Sequence, residues 1–270
     1  MSPDLSAAAD SAGAALPRIG SVPYLNAVPL IHGLGSGVRL APPSLLARWL
    51  RAGEVDAGLV SVAEVLENDL YDVVDGVGVC SDGPVYSVLL AHRGPLNEVR
   101  RVGCDPASLT SVRLLQWLMK DRGLSPDYVR MEGSRPPAEE GLDGFLLIGD
   151  PAIAFRQSSA ASLYQLWDLG SAWKEATGLP FVYAVWAIRR AVDSGSLARR
   201  LIQARDEGLG ALDELIRTRS EFDEATRDRY LRHHIRYVLG ASERRGIETF
   251  AAGLERLGIT AVHPVRWISS

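Results

Sequence analysis

From residue 18 onward, short apolar runs alternate with longer segments whose apolar residues recur every three or four positions. The short runs read as buried strands and the longer segments as amphipathic helices, an alternation that predicts an α/β sheet. RIGSV, from Arg18, predicts the first strand; a helix begins near Asn26 and runs through VPLIHGL, and VRLA (38–41) predicts a second strand. SLLARWLRAG predicts a helix with Ser44 as N-cap and Gly53 as its stop. Leu45, Leu46, Trp49 and Leu50 share its core face. DAGLVSV (56–62) reads as a buried strand running straight into a helix at Ser61.

Two longer strands follow, YDVVDGVGVC and PVYSVLLAH (84–92), and then RGPLNEVR, polar and carrying Gly and Pro, which predicts a hinge. A second unit opens at RRVGCD with a strand, the helix SLTSVRLLQWLMKDRG and the strand DYVRME. GLDGFLLIGD (141–150) is a further buried strand, and DPAIAFRQ opens a helix with Asp150 as its cap and Pro151 at its first position. LWDLGSAWKEATGLP reads as a Trp-containing loop and FVYAVWAIRR as one more strand. The last 75 or so residues read as almost entirely helical, in runs from Leu197 to Arg219, DEATRDRYLRHHIRYVLG and ASERRGIETFAAGLERLG.

This order predicts two lobes joined by paired crossovers, with a ligand between them. Residues 18–100 with 186–270 make one lobe and 101–185 the other; the Ala/Ser-rich first 17 residues are expected to be a disordered extension.

Composition narrows the function. With 47% hydrophobic and 23% charged residues in a chain of 270, there is enough apolar surface for a packed core. A net charge of -4 gives no footprint for nucleic acid or for an anionic membrane. Two cysteines, Cys80 and Cys104, are too few for a disulfide framework or a four-cysteine metal site, and each ends an apolar run as a small hydrophobe would. Of five histidines, His233 and His234 are adjacent on a predicted helix, where side chains diverge by about 100° and cannot chelate together. No metal and no cofactor is expected. The N-terminus has no basic region followed by an apolar core, and no run of about 18 apolar residues occurs, so the expectation is a cytoplasmic protein without a membrane span.

Three strand-to-helix turns carry candidate chemistry, because helix N-termini offer unpaired N–H groups to a ligand. In Ser21-Val22-Pro23-Tyr24-Leu25-Asn26, Asn26 serves either as a plain N-cap or, with Tyr24 on a Pro-bent turn, to orient a substrate hydroxyl or carboxylate. In Asp105-Pro106-Ala107-Ser108-Leu109-Thr110-Ser111, three hydroxyls open one helix, more than capping needs, and together with the helix dipole they make an anion cradle. In Ile148-Gly149-Asp150-Pro151-Ala152, Gly149 permits close backbone approach and Asp150 either caps the helix or meets a ligand. Ser87 interrupts the apolar strand PVYSVLL, as a satisfied core hydroxyl or as a site residue. No phosphate loop, nucleophile elbow, HExxH or GxGxxG turn is present. Residue chemistry alone therefore reaches a cleft for a small anion, in a binding protein or an enzyme.

VPYLNAVPL, PVYSVLL, SLTSVRLL, IGDPA and DLGSAWKEATGLPFVYAVW, in this order along nearly the whole chain, resemble the chorismate dehydratase family of the futalosine route to menaquinone. The resemblance implies a type 2 periplasmic-binding-protein-like fold and conversion of chorismate to 3-[(1-carboxyvinyl)oxy]benzoate and water, by loss of the C3 proton and the C4 hydroxide. It implies substrate contact for Asn26 and Ser87 as catalytic residues, anion binding for Thr110 and Ser111, and the remaining turn for Gly149 and Asp150; Tyr24 is expected to bind substrate from its place on the Pro-bent turn alone. The base stays open between the substrate's own enolpyruvyl carboxylate and Asp150. A sister family, the naphthoate synthase of the same route, is expected to carry a histidine base near the site, and no histidine lies between His92 and His233. A non-catalytic solute-binding module of the same fold is the rival class.

Overall fold

A computed structural model describes residues 16–105, 108–131 and 141–269. The extension expected at 1–17 lies, but for its last two residues, outside the described residues. The strands are β1 (Ile19–Ser21), β2 (Arg39–Leu40), β3 (Ala57–Ser61), β4 (Tyr71–Ser81), β5 (Val88–His92), β6 (Arg101–Cys104), β7 (Asp127–Arg130), β8 (Gly144–Ile148), β9 (Gln165–Asp168), β10 (Phe181–Arg189), β11 (Arg236–Val238) and β12 (Trp267–Ile268). The helices are α1 (Val28–Ile31), α2 (Pro43–Ala52), α3 (Val62–Glu67), α4 (Leu109–Asp121), α5 (Gly149–Gln157), α6 (Leu169–Thr177), α7 (Ser194–Gly210), α8 (Leu212–Thr218), α9 (Glu224–Arg229) and α10 (Ala241–Arg256).

The strands form two mixed sheets. The first runs β11-β4-β10-β3-β1-β2, with β12 beside β4; the second runs β7-β6-β8-β5-β9. In each, parallel strands (β2-β1-β3 and β7-β6-β8) are extended by antiparallel neighbours, β10 in the first sheet and β5 in the second. The parallel strands are short and apolar because helices cover them: β3 buries Ala57 to Val60, and α2 lays Leu46 and Leu50 beneath it at zero exposure. Trp173 of α6 anchors the aromatic core, packing edge-on against Trp117, Phe181 and Phe250 at centroid distances of 4.9, 5.1 and 5.9 Å.

The pairings move the expected crossover points. β5 lies in the second sheet and β10 wholly in the first, so the chain changes sheets at 82–87 and again between 169 and 180, not near residues 100 and 185. RGPLNEVR is accordingly a turn joining β5 to β6 inside one sheet, with a 3-10 turn at Leu96–Glu98. Both crossovers pass through Asp168, whose carboxylate accepts the N–H groups of Val85, Tyr86 and Ser171. Gly170 is required where they cross: a Cβ there would stand 2.4 Å from the Gly83 carbonyl oxygen.

Other local expectations shift for identifiable reasons. α2 starts at Pro43 without a side-chain cap, so Ser44 is not its N-cap, whereas Gly53 does end it at φ 75. Trp49 sits half-buried at the edge of that helix under the Arg39 guanidinium, 4.1 Å from the ring centre. Asp150 does not cap α5; its carboxylate faces another residue entirely. The Trp-containing loop holds β9 and α6, the latter capped by Asp168. The run 223–240 is not one helix: α9 gives way to a π-helical turn at Tyr230–His234 and then to β11. Among the described residues, no helix is long and apolar enough to cross a membrane.

Candidate functional site

A cavity of about 660 Å³, its mouth included, opens between the two sheets. It lies at the carboxyl ends of β1, β3, β6 and β8, where open α/β sheets present their ligand sites. Both sheets and the first crossover contribute lining residues, among them Tyr24, Ser61, Ser87, Ser111, Gly149 and Tyr183. The walls between these polar groups are apolar, from Val22, Leu59, Val79 and Ile148.

Six of the seven residues singled out in the sequence line this one cavity: Tyr24, Asn26, Ser87, Thr110, Ser111 and Gly149. Asp150 does not. Its carboxylate accepts the N–H of Leu25 at 3.1 Å, from the turn that carries Tyr24 and Asn26. Burial pushes the Asp150 carboxyl up to about 6, against the pull of the Leu25 N–H.

The turn after β1 brings Tyr24 over the turn after β8. Gly149 adopts φ 59, and a Cβ on it would lie 3.1 Å from the Tyr24 ring, so only glycine lets the two turns meet this closely. The Tyr24 phenol is pushed up to about 12, chiefly by burial and further by the charges of Asp105 and Asp150. It is a neutral donor at any physiological pH.

The start of α4 supplies the second group of donors. Ser108 is buried, lines the cavity and, among the described residues, has no hydrogen-bond partner for its hydroxyl. Thr110 is partly spent on structure: its hydroxyl oxygen accepts the Ala63 N–H of α3 at 2.9 Å, which leaves its proton to donate. Ser111 is also buried and lines the cavity one position on. These hydroxyls sit in the first turn of a 13-residue helix, at the positive end of its dipole.

A third group of donors includes a feature that the sequence motifs did not disclose. Asn26 Nδ2 donates to the Tyr230 hydroxyl at 3.1 Å, and Tyr230 donates to Ser87 Oγ at 2.7 Å. Tyr230 is fully buried and stands in the π-helical turn. The backbone before Ser87 is held in an uncommon conformation: Tyr86 has φ 69, with its ring stacked on His234 and covered by the Arg156 guanidinium. Gly149 N–H donates to the Ser87 carbonyl at 2.8 Å, which fixes the serine beside the third turn.

Among the described residues, no lysine, arginine or histidine lines the cavity. Hydroxyls, an amide and a helix end are the groups that this described lining offers to a negative ligand, the kind of neutral dipoles that can hold an anion. Among the described residues, no group of three or more His, Cys, Asp or Glu is arranged to hold a metal ion.

Comparison with known proteins places the chain's family and fold. Residues 17–256 match the family model described as menaquinone biosynthesis. A protein of Thermus thermophilus named chorismate dehydratase is 36% identical over 255 residues, which cover 86% of this chain and 92% of that one. Among solved structures, a protein of Archaeoglobus fulgidus superposes with a TM-score of 0.70 at 17% identity, covering 90% of this chain and 98% of that one. The alkanesulfonate-binding protein of Xanthomonas axonopodis, solved with MOPS bound, gives 0.63 at 16% identity, over 94% and 98%. At such identities these two structures bear on the fold, which is periplasmic-binding-protein-like.

Proposed function

The chain belongs to the menaquinone-biosynthesis family, and from that premise we propose that it is a chorismate dehydratase. The reaction converts chorismate to 3-[(1-carboxyvinyl)oxy]benzoate and water. The observation that carries the reading is the gathering of two sets of neutral donors, the α4 hydroxyls and the Asn26/Ser87 pair, in the lining of one largely apolar cavity. That arrangement suits a small ring with a carboxylate at one end and a hydroxyl to be expelled at the other.

The C3 proton of chorismate is acidified because its removal is vinylogous to the C1 carboxylate. Donors from Ser108, Thr110 and Ser111 hold that carboxylate and stabilise the dienolate as it forms; one such donor is typically worth about 2.7–4 kcal/mol in the barrier. The C4 hydroxyl is a poor leaving group, and hydrogen bonds from Ser87 and Asn26 assist its departure. The proton from C3 and the hydroxide from C4 leave together as water, and aromatisation drives the step. No electrons are gained or lost, so the conversion asks for no redox carrier.

The substrate's enolpyruvyl carboxylate takes the C3 proton, folded into position by the cleft. Asp150 is the competing base, but its carboxylate is engaged by the Leu25 N–H and lies outside the lining. None of the five histidines lines the cavity, which disfavours the naphthoate synthase reading with its histidine base. We assign the protein to the cytoplasm; two free, buried cysteines suit a reducing compartment.

The test is direct. Purified protein is mixed with chorismate, without metal or nucleotide, and the products are followed by chromatography and mass spectrometry. Loss of one water to give the enolpyruvyl benzoate is the expected result; intact chorismate with folded protein overturns the assignment.

A further inference from the structure

Tyr230 joins the two residues assigned to the leaving-group end of the cavity, although 204 positions separate it from Asn26 and 143 from Ser87. The direction of the hydrogen bonds follows from the atoms. An amide nitrogen only donates, so Tyr230 accepts from Asn26, and its single proton goes to Ser87 Oγ. Ser87, having accepted, retains a proton of its own, and among the described residues no protein acceptor takes it. Ser87 is buried and lines the cavity, so that proton is available only to a ligand. Tyr230 is held where this requires by the π-helical turn, a distortion that recurs at functional sites. Ile235, the residue after that turn, itself lines the cavity.

We infer that Tyr230 is a positioning residue: it binds the Asn26 amide and the Ser87 hydroxyl into one directed chain whose last proton points at the substrate. The group lying against Ser87 must then be an oxygen acceptor, which in the proposed dehydration is the departing C4 hydroxyl. Burial pushes the Tyr230 phenol well above its ordinary range, so it stays a donor throughout physiological pH. The inference rests on the dehydratase reading for its substrate, but its geometry can be tested apart from turnover.

Tyr230→Phe removes the hydroxyl and keeps the ring. With chorismate, kcat falls by about 10–100-fold while KM changes by less than about threefold, since the chain acts on the departing group more than on binding. If Tyr230 acts through Ser87, adding Tyr230→Phe to Ser87→Ala costs less than about twofold further, whereas independent structural damage multiplies the two losses. Wild-type kcat in Tyr230→Phe, or multiplicative losses in the double variant, overturns the inference. An NMR measurement on the wild-type protein needs no variant: a slowly exchanging Tyr230 hydroxyl proton close to the Asn26 side-chain amide is expected, and its absence overturns the chain. If wild-type protein leaves chorismate intact, the proposed activity fails, while the NMR result still decides whether the directed chain exists.

Discussion

Asp150 accepts the backbone N–H of Leu25 at 3.1 Å although 125 positions separate the two residues. A carboxylate expected to cap its own helix instead ties the second sheet's last site turn to the first sheet's first. Thr110 does the same at the other wall by accepting Ala63 N–H. Residues that resemble ligand contacts in the sequence thus also hold the two halves of the cavity together.

The burial of Asp150 predicts a pH dependence of stability. Its carboxyl ionises near 3.8 when exposed and near 6 in the folded protein, because burial disfavours the charge. The folded state therefore binds the proton more tightly, and the group's contribution is most favourable below about pH 4, is lost as pH rises towards 6, and stays lost above. Asp150→Asn keeps an acceptor for Leu25 without the charge. Thermal melts should show Tm higher than wild type by about 2–4 °C at pH 8 and no gain at pH 4. Turnover within about threefold of wild type in the same variant excludes Asp150 as the base.

Asn26→Ala and Ser87→Ala each remove a donor at the proposed leaving-group end. Each is expected to lower kcat by about 10²–10³-fold in a chorismate assay, the loss typical of one preorganised donor. Two variants with unimpaired turnover would show that the site assignment is wrong.

Gly149→Ala places a Cβ against the Tyr24 ring on a backbone with φ 59. The strain predicts a loss of about 1–3 kcal/mol in denaturant melts. Because the ring must move from the cavity wall, KM for chorismate rises in the same variant.

Two of the helix-start hydroxyls, Ser111 and Thr110, should separate by phenotype. Ser111→Ala removes a donor without breaking any recorded protein contact, so it weakens binding, raising KM by about tenfold. Thr110→Val in addition leaves the Ala63 N–H without its acceptor, which predicts a stability loss of about 1–3 kcal/mol by chemical denaturation. Equal stability of the two variants would contradict the division of labour drawn here.

Elements set by local pattern were legible in the sequence, and elements set by distant partners were not. β3 and the Ser61 cap were legible because an apolar run meets a capping serine within seven residues. The crossover points were not, because Val88 to His92 is apolar enough for either sheet and only its pairing with β8 and β9 decides. β11 left a signal that the neighbouring charged run obscured. Ile235, Tyr237 and Leu239 are buried while Arg236 and Val238 are exposed, a period of two that contradicts a helix. All seven candidate site residues lie on strand-to-helix turns or beside a crossover, and six of them line the cavity, so position along the chain already pointed to it. Tyr230 has no such marker: in RDRYLRHH it looks like a helix-surface residue, and its role arises from two contacts made across the fold.

β10 lies between β3 and β4, which meet each other only through it, while the second sheet is drawn entirely from the chain between Val88 and Asp168. During synthesis the middle of the protein can therefore close its sheet before the beginning can. Until residue 189 has emerged, β3 and β4 present open edges of the kind that invite pairing with other chains. Tyr230 emerges later still. The nascent chain gains the ability to grip a ligand only after both sheets are built, so a prematurely terminated product has no working cleft.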